Sequence, residues 1–236
     1  MSDVEPTLFV SSSEGVIDIW NMSAKWSDRP ELEHIPNFRY EVGVTKPYKG
    51  TRKNPKPAHF YNLFIHMMEN YDLVISSGGL EADDTVCTAQ IAAMERGEET
   101  IVCSRDKDLR IVKGNHYSWE CGLQAAIGPV TTDSLGWIEL KGAKEDLVGY
   151  GLSFFLAQML MGDNADNIPG LAGVGKAAAW KLLSPLAGDK EAMIKAVKDL
   201  YKEKAKENAK ELFIEQSNLL WILHRDGEHF DMRKLK

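Results

Sequence analysis

The feature that most limits the fold is an alternation of short β-prone runs with amphipathic helical stretches in the first half of the chain. Thr7-Leu8-Phe9-Val10, Tyr71-Asp72-Leu73-Val74-Ile75-Ser76 and Glu99-Thr100-Ile101-Val102-Cys103-Ser104 have strand composition. Between them, Phe60, Leu63, Phe64, Met67 and Met68 fall on one face of a helix, and a second helix is expected over about 82–96. This alternation predicts an α/β fold with a parallel sheet. Beyond Lys144 the strands are expected to stop, and helices are predicted at about 145–161, 175–184, 189–206 and 207–222. The expected organisation is therefore an α/β domain over 1–144 and a helical module over 145–236. Residues 21–57 are polar and proline-punctuated, which predicts a loop or mobile arm.

Three acidic clusters fall at the ends of these elements. Glu81-Ala82-Asp83-Asp84 follows a strand and starts a helix; Asp106-Lys107-Asp108 follows the next strand; Asp163-Asn164-Ala165-Asp166 ends a helix. Ligands of open parallel sheets bind beyond the carboxyl ends of the strands, which is where the first two clusters sit. Each cluster alone is compatible with helix capping or a solvated turn. Gathered together, seven carboxylates repel unless cations neutralise them. Mg²⁺ or Mn²⁺, which prefer oxygen ligands, suit such a site, and two ions together can hydrolyse a phosphodiester.

Two further segments point to a polyanion. Gly170-Leu171-Ala172-Gly173-Val174-Gly175-Lys176 feeds into the helix Ala177–Leu183. Gly173, Gly175 and Lys176 offer close backbone approach and helix N-terminal N–H groups for a phosphate. The segment is no Walker-type loop, because no Ser or Thr follows Lys176 and no strand precedes it. In the arm, Arg39, Lys46, Lys49, Arg52, Lys53 and Lys56 face only Glu41, with Tyr40 and Tyr48 interleaved. Basic and aromatic residues together suit single-stranded nucleic acid; a solvated loop is the plainer alternative. Lys49 and Arg52 are the candidates for stabilising charge on a scissile phosphate.

The net charge of −7 taken alone argues against a nucleic-acid binder, but metal-binding carboxylates inflate the acidic count. Three widely spaced cysteines predict free thiols in a reducing compartment. No apolar run approaches the roughly 18 residues of a membrane span, and no secretion signal is expected at the start.

Together these motifs resemble the flap-endonuclease/5′–3′ exonuclease family, especially its bacteriophage branch. The matching pieces are Asn37-Phe38-Arg39, Tyr48-Lys49-Gly50-Thr51-Arg52, Gly79-Leu80-Glu81-Ala82-Asp83-Asp84, Ser104-Arg105-Asp106-Lys107-Asp108-Leu109 and Gly162-Asp163-Asn164-Ala165-Asp166-Asn167-Ile168-Pro169-Gly170. The resemblance implies a PIN-like domain followed by a helix-3-turn-helix module. It implies a 5′ nuclease acting on flap, nicked or branched DNA, leaving a 5′-phosphate and a 3′-hydroxyl. Glu81, Asp83 and Asp84 would belong mainly to a first metal site, and Asp106, Asp108, Asp163 and Asp166 to a second. Lys49 and Arg52 would contact the scissile phosphate; Arg39, Lys46, Tyr48 and Lys53 would contact DNA. The Gly173–Lys176 hairpin would hold the duplex backbone, in this family often with K⁺.

Members of that family usually open on a strand bearing a metal-binding Asp. By that resemblance the first strand is expected to be absent here, the chain being a fragment, a naturally split protein or a pared-down variant whose missing strand another polypeptide supplies. Leu8-Phe9-Val10 also runs into serines where another Asp is common, leaving Asp18 as a poor substitute. The competing functions are a branched-DNA-binding module without turnover and a PIN-type ribonuclease. The implied compartment is the cytoplasm, that of a bacterial host for a phage protein.

Overall fold

A computed structural model describes residues 8–9, 37–51, 58–70, 73–74, 79–122, 125–142, 146–225, 228 and 230. Arg52, Lys53, Lys56 and Asp18 lie outside the described residues. The fold is mixed α/β. Strands β1 (Leu8–Phe9) and β2 (Leu73–Val74) pair in parallel. Between them come α1 (Arg39–Val42) and α2 (Phe60–Asn70). Helix α3 (Ala82–Glu95) leads to β3 (Ile101–Cys103), which pairs in parallel with β4 (Gly114–Ser118). The β3–β4 crossover contains a 3₁₀ turn over Asp108–Ile111.

Strand β5 (Ile127–Thr132) then pairs antiparallel with β4, and β6 (Trp137–Lys141) pairs antiparallel with β7 (Asp146–Tyr150). The pairing is thus mixed where a parallel sheet was expected, and a strand lies beyond Lys144. The hairpin β6–β7 pairs residues on both sides of position 145. These strands were hard to foresee because they are short and the apolar face of β6 is only half-buried. Along β6, Trp137, Glu139 and Lys141 are exposed while Ile138 and Leu140 are only half-buried. The helix expected from 145 consequently starts later.

That helix is α4 (Gly151–Met161), followed by α5 (Lys176–Leu183), α6 (Lys190–Ala205) and α7 (Ala209–Leu220). Ten of the eleven residues of α4 are buried, Gly151 to Leu160. A helix apolar all round belongs inside a protein. Here α4 packs against α5, α6, α7, β6, β7 and the 3₁₀ turn. Phe154, Phe155, Leu156, Met159 and Leu160 lie at the centre of the core, each worth roughly 1.5–3 kcal/mol when fully buried. The rigid axis of α4 therefore ends directly at the third acidic cluster.

Candidate metal and nucleic-acid site

Three backbone devices deliver the acidic clusters. At the first turn of α3, Asp84 accepts a hydrogen bond from the Glu81 N–H at 3.1 Å. Adjacent helix residues point in different directions, so Asp83 and Asp84 part company. After β3, the Ser104 hydroxyl accepts from Asp106 N–H and the Asp106 Oδ1 accepts from Asp108 N–H, both at 3.0 Å. Beyond α4, Asp163 and Ile168 exchange backbone hydrogen bonds of 2.8 and 2.7 Å. This turn needs glycine at both its ends. A Cβ on Gly162 would stand 2.3 Å from the Ile168 carbonyl oxygen, and one on Gly170 would stand 2.3 Å from Gly162 N; both residues have positive φ.

The loop so formed clasps the segment around Tyr48. Lys49 N–H donates to the Asp166 carbonyl at 2.9 Å, and the Asn167 side-chain amide donates to the Pro47 carbonyl at 2.9 Å. Tyr48 hydroxyl bridges Glu81, at 3.2 Å to each oxygen, and Asp166 Oδ2 at 3.0 Å. Burial and then Glu81 and Asp166 push the Tyr48 phenol far above its ordinary range. Lys49 Nζ donates to Glu81 Oε1 at 2.5 Å. On the opposite side, Lys107 Nζ bridges Asp108 Oδ1, at 3.1 Å, and Asp163 Oδ2. Burial opposes the Lys107 charge, but Asp108 and Asp163 hold its pKa above the ordinary lysine value.

Asp83 is acted on by carboxylates of both bridges. Burial comes first and then Asp106, Glu81 and Asp108 in raising its pKa well above the usual carboxylate range. Burial, with Asp106 and Asp163 adding and Lys107 opposing, pushes Asp108 up to about 6. Carboxylates from α3 and from the turn after β3 thus face one another with a deficit of positive charge. Among the described residues no three of them stand close enough to enclose an ion as they are. The donor chemistry nevertheless fits a hard divalent cation that keeps part of its water shell. It offers carboxylate oxygens of Asp83, Asp106 and Asp108 in mutual electrostatic contact, with two lysines already drawn in.

Three of the residues singled out by sequence occupy other places. Arg39 is 1% exposed and Asp84 0% exposed, so Arg39 has no surface from which to reach DNA. Its guanidinium donates to both Asp84 oxygens at 2.8 Å and to the carbonyls of Leu219 and Trp221. Asp84 also accepts from Leu223 N–H at 3.0 Å. With four donors on its two oxygens, Asp84 ties α1, α3 and the end of α7 together. Tyr48 is 3% exposed, which removes it from base stacking; its hydroxyl serves the carboxylates instead. Lys46 is exposed. The sequence reading passed over Lys107 as a site residue although its place between two aspartates was the available signal. It also passed over Gln158, whose side-chain amide donates to Asp108 Oδ1 at 2.6 Å.

At the other predicted contact, Gly173 has φ +76° and Gly175 caps α5. A Cβ on either would meet nothing within 4 Å, so this turn presents bare backbone to solvent. Lys176 and Lys181 are exposed beside it, and Lys176 Nζ reaches Asp146 at 2.6 Å.

No family model matches the chain. Among curated proteins it is similar to DNA polymerase I of Bacillus caldotenax, 28% identical over 189 residues, covering 74% of this chain and 19% of the polymerase. It is also similar to the DNA polymerase I of Chloroflexus aurantiacus, 30% identical over 167 residues, covering 64% and 17%. These similarities support the flap-endonuclease/5′–3′ exonuclease resemblance carried by the sequence motifs. The chain spans about a fifth of the length of the curated relatives it matches. Among solved structures it is similar to the bacteriophage T5 D15 protein co-crystallised with metal ions, with TM-score 0.44 and 16% identity over 78% of this chain and 69% of that one. It is likewise similar to the T5 5′-exonuclease with bound zinc, with TM-score 0.47 and 16% identity over the same shares.

Proposed function

We propose that the chain is a divalent-metal-dependent 5′ nuclease that hydrolyses phosphodiesters of flap, nicked or branched DNA, with Mg²⁺ or Mn²⁺ as the metal. The observation that supports this reading is the bridging of acidic residues from three separate segments, Glu81 to Asp166 through Tyr48 and Asp108 to Asp163 through Lys107, with Lys49 on Glu81 and with Asp106, Glu81 and Asp108 acting on Asp83. The similarity to DNA polymerase I relatives supports it. Bound divalent cations lower the pKa of water and stabilise charge on phosphoryl oxygens. The six carboxylates would hold the cations. Lys49 exchanges Glu81 for a phosphate oxygen of the substrate, and Arg52 is proposed to assist it. Water oxygen bonds to phosphorus, the bond from phosphorus to the 3′ oxygen breaks, and that oxygen leaves protonated. The products carry a 5′-phosphate and a 3′-hydroxyl.

The exposed turn at Gly173 and Gly175, with Lys176, is proposed to hold the duplex backbone without reading bases, with K⁺ as a bridging ion. Lys46 and Lys53 are proposed as contacts to the unpaired strand. In this reading the PIN-like part extends to about residue 144 and the helix-3-turn-helix part follows. The test is cleavage of a 5′-labelled flap DNA with Mg²⁺ or Mn²⁺, beside EDTA and an RNA flap of the same sequence. Metal-dependent release from DNA is the expected result. Tight flap binding without cleavage would make the chain a binding module, and preferential RNA cleavage would make it a ribonuclease.

A further inference from the structure

Gln158 is the one amide in the otherwise apolar run Phe154-Phe155-Leu156-Ala157-Gln158-Met159-Leu160-Met161. It is 1% exposed. Burying an amide costs free energy unless its hydrogen bonds are met, so a glutamine at the centre of the core calls for a reason. Its Nε2 donates to Asp108 Oδ1 at 2.6 Å, across fifty positions of sequence. The same oxygen takes Lys107 Nζ at 3.1 Å. Both donors therefore act on Oδ1. The backbone N–H of Asp108 meanwhile donates to Asp106 Oδ1. The rotamer of Asp108 is held from the core side by a group on α4, ten of whose eleven residues are buried.

We infer that Gln158 is a positioning residue that pins Asp108 through Oδ1 and turns Oδ2 towards Asp83 and Asp106, where a divalent cation is to be held. The inference rests on the metal-dependent reading above. A neutral donor suits this task. An amide orients the carboxylate and leaves its full charge for the cation, whereas an ammonium in its place would compete with that cation. Lys107 is such a competitor, but it lies on the open side and has exits to solvent; Gln158 has none. Outer partners of metal ligands typically change metal affinity or activity by roughly 10–100-fold when removed.

The experiment measures Mn²⁺ affinity of the full chain by electron paramagnetic resonance without DNA, and then single-turnover cleavage of a DNA flap. Gln158→Met keeps length and apolar packing but loses the donor. We expect its Mn²⁺ affinity to fall about tenfold or more, with flap binding in EDTA unchanged. Gln158→Leu, as a second donorless variant, should fall in parallel. Ser153→Ala, on the same helix, removes the hydrogen bond from Ser153 hydroxyl to the Leu135 carbonyl and serves as the packing control. It should lower the melting temperature yet leave Mn²⁺ affinity intact. Wild-type Mn²⁺ affinity in a folded Gln158→Met or Gln158→Leu chain would overturn the inference while leaving the nuclease reading in place. An equal loss in Ser153→Ala would also overturn it, by showing that general loosening of α4 suffices. Absence of Mn²⁺ binding by the wild-type chain would overturn both.

Discussion

Arg39 and Asp84 form the charge pair that sequence patterning most easily misassigns. One stands in a basic arm and the other in an acidic cluster, so each suggests a ligand. In the fold they satisfy each other and close three backbone contacts around the end of α7. Removing one partner of such a buried pair leaves the other charged and uncompensated, at a cost of about 3–5 kcal/mol. Arg39→Met should lower unfolding free energy by that order in urea titrations, and Arg39→Met with Asp84→Leu should recover part of it. A DNA-contact role predicts instead unchanged stability with weaker flap binding. His116 gives a second residue-level prediction. Burial lowers its pKa below the ordinary value, with Arg110 adding to the shift, while its Nε2–H donates to the Val112 carbonyl at 2.8 Å. The folded chain therefore takes up its proton at lower pH than the unfolded chain. Stability supplied by neutral His116 is present above about pH 6.5 and is lost as pH falls through that value towards the folded pKa. His116→Gln should flatten the acid side of a melting-temperature profile between pH 5 and 7.

The turn before α5 separates function from stability at the scale of an element. Gly175 has φ −98°, which any residue adopts, and a Cβ there meets nothing. Gly175→Ala should leave the melting temperature nearly unchanged, yet weaken binding to duplex-bearing flaps several-fold by standing between backbone N–H groups and phosphate. Gly173→Ala should cost about 1–2 kcal/mol as well, since φ is +76°. If Gly175→Ala binds flap DNA as the wild type does, this turn is not the duplex contact. The helices of this half were legible because α4 through α7 are long and periodic, and the structure places them within a few residues of expectation except at the start of α4. Strands β4 to β7 were not legible. They are about five residues long, and β6 alternates only between exposed and half-buried positions over five residues, so the pattern is too brief to carry much signal. The site was legible as chemistry, because each acidic cluster closes an element. Its internal wiring was not. The bridges from Tyr48 to Asp166 and from Gln158 to Asp108 span 118 and 50 positions and are set by packing alone.

Across the whole molecule, the net charge of −7 and the proposed polyanionic substrate are reconciled by where the acids lie. In the proposed reading six of the 35 acids would be neutralised by cations, and the exposed Lys176 and Lys181 lie beside the turn at α5. Among the described residues no helix is long and apolar enough to cross a membrane. Metal removal should therefore abolish turnover without unfolding the chain, because α4 and its neighbours form a core independent of the carboxylates. The most direct test is a side-by-side measurement on Asp83→Asn: single-turnover cleavage of a 5′ flap in Mn²⁺, with flap affinity and melting temperature recorded on the same sample. Asp83 lies at the meeting point of the acidic clusters and takes no part in the Arg39–Asp84 network. The account predicts that cleavage falls by more than the roughly 10–100-fold expected of an outer partner, while binding and melting temperature stay near wild type. Wild-type cleavage by a folded Asp83→Asn chain would contradict it.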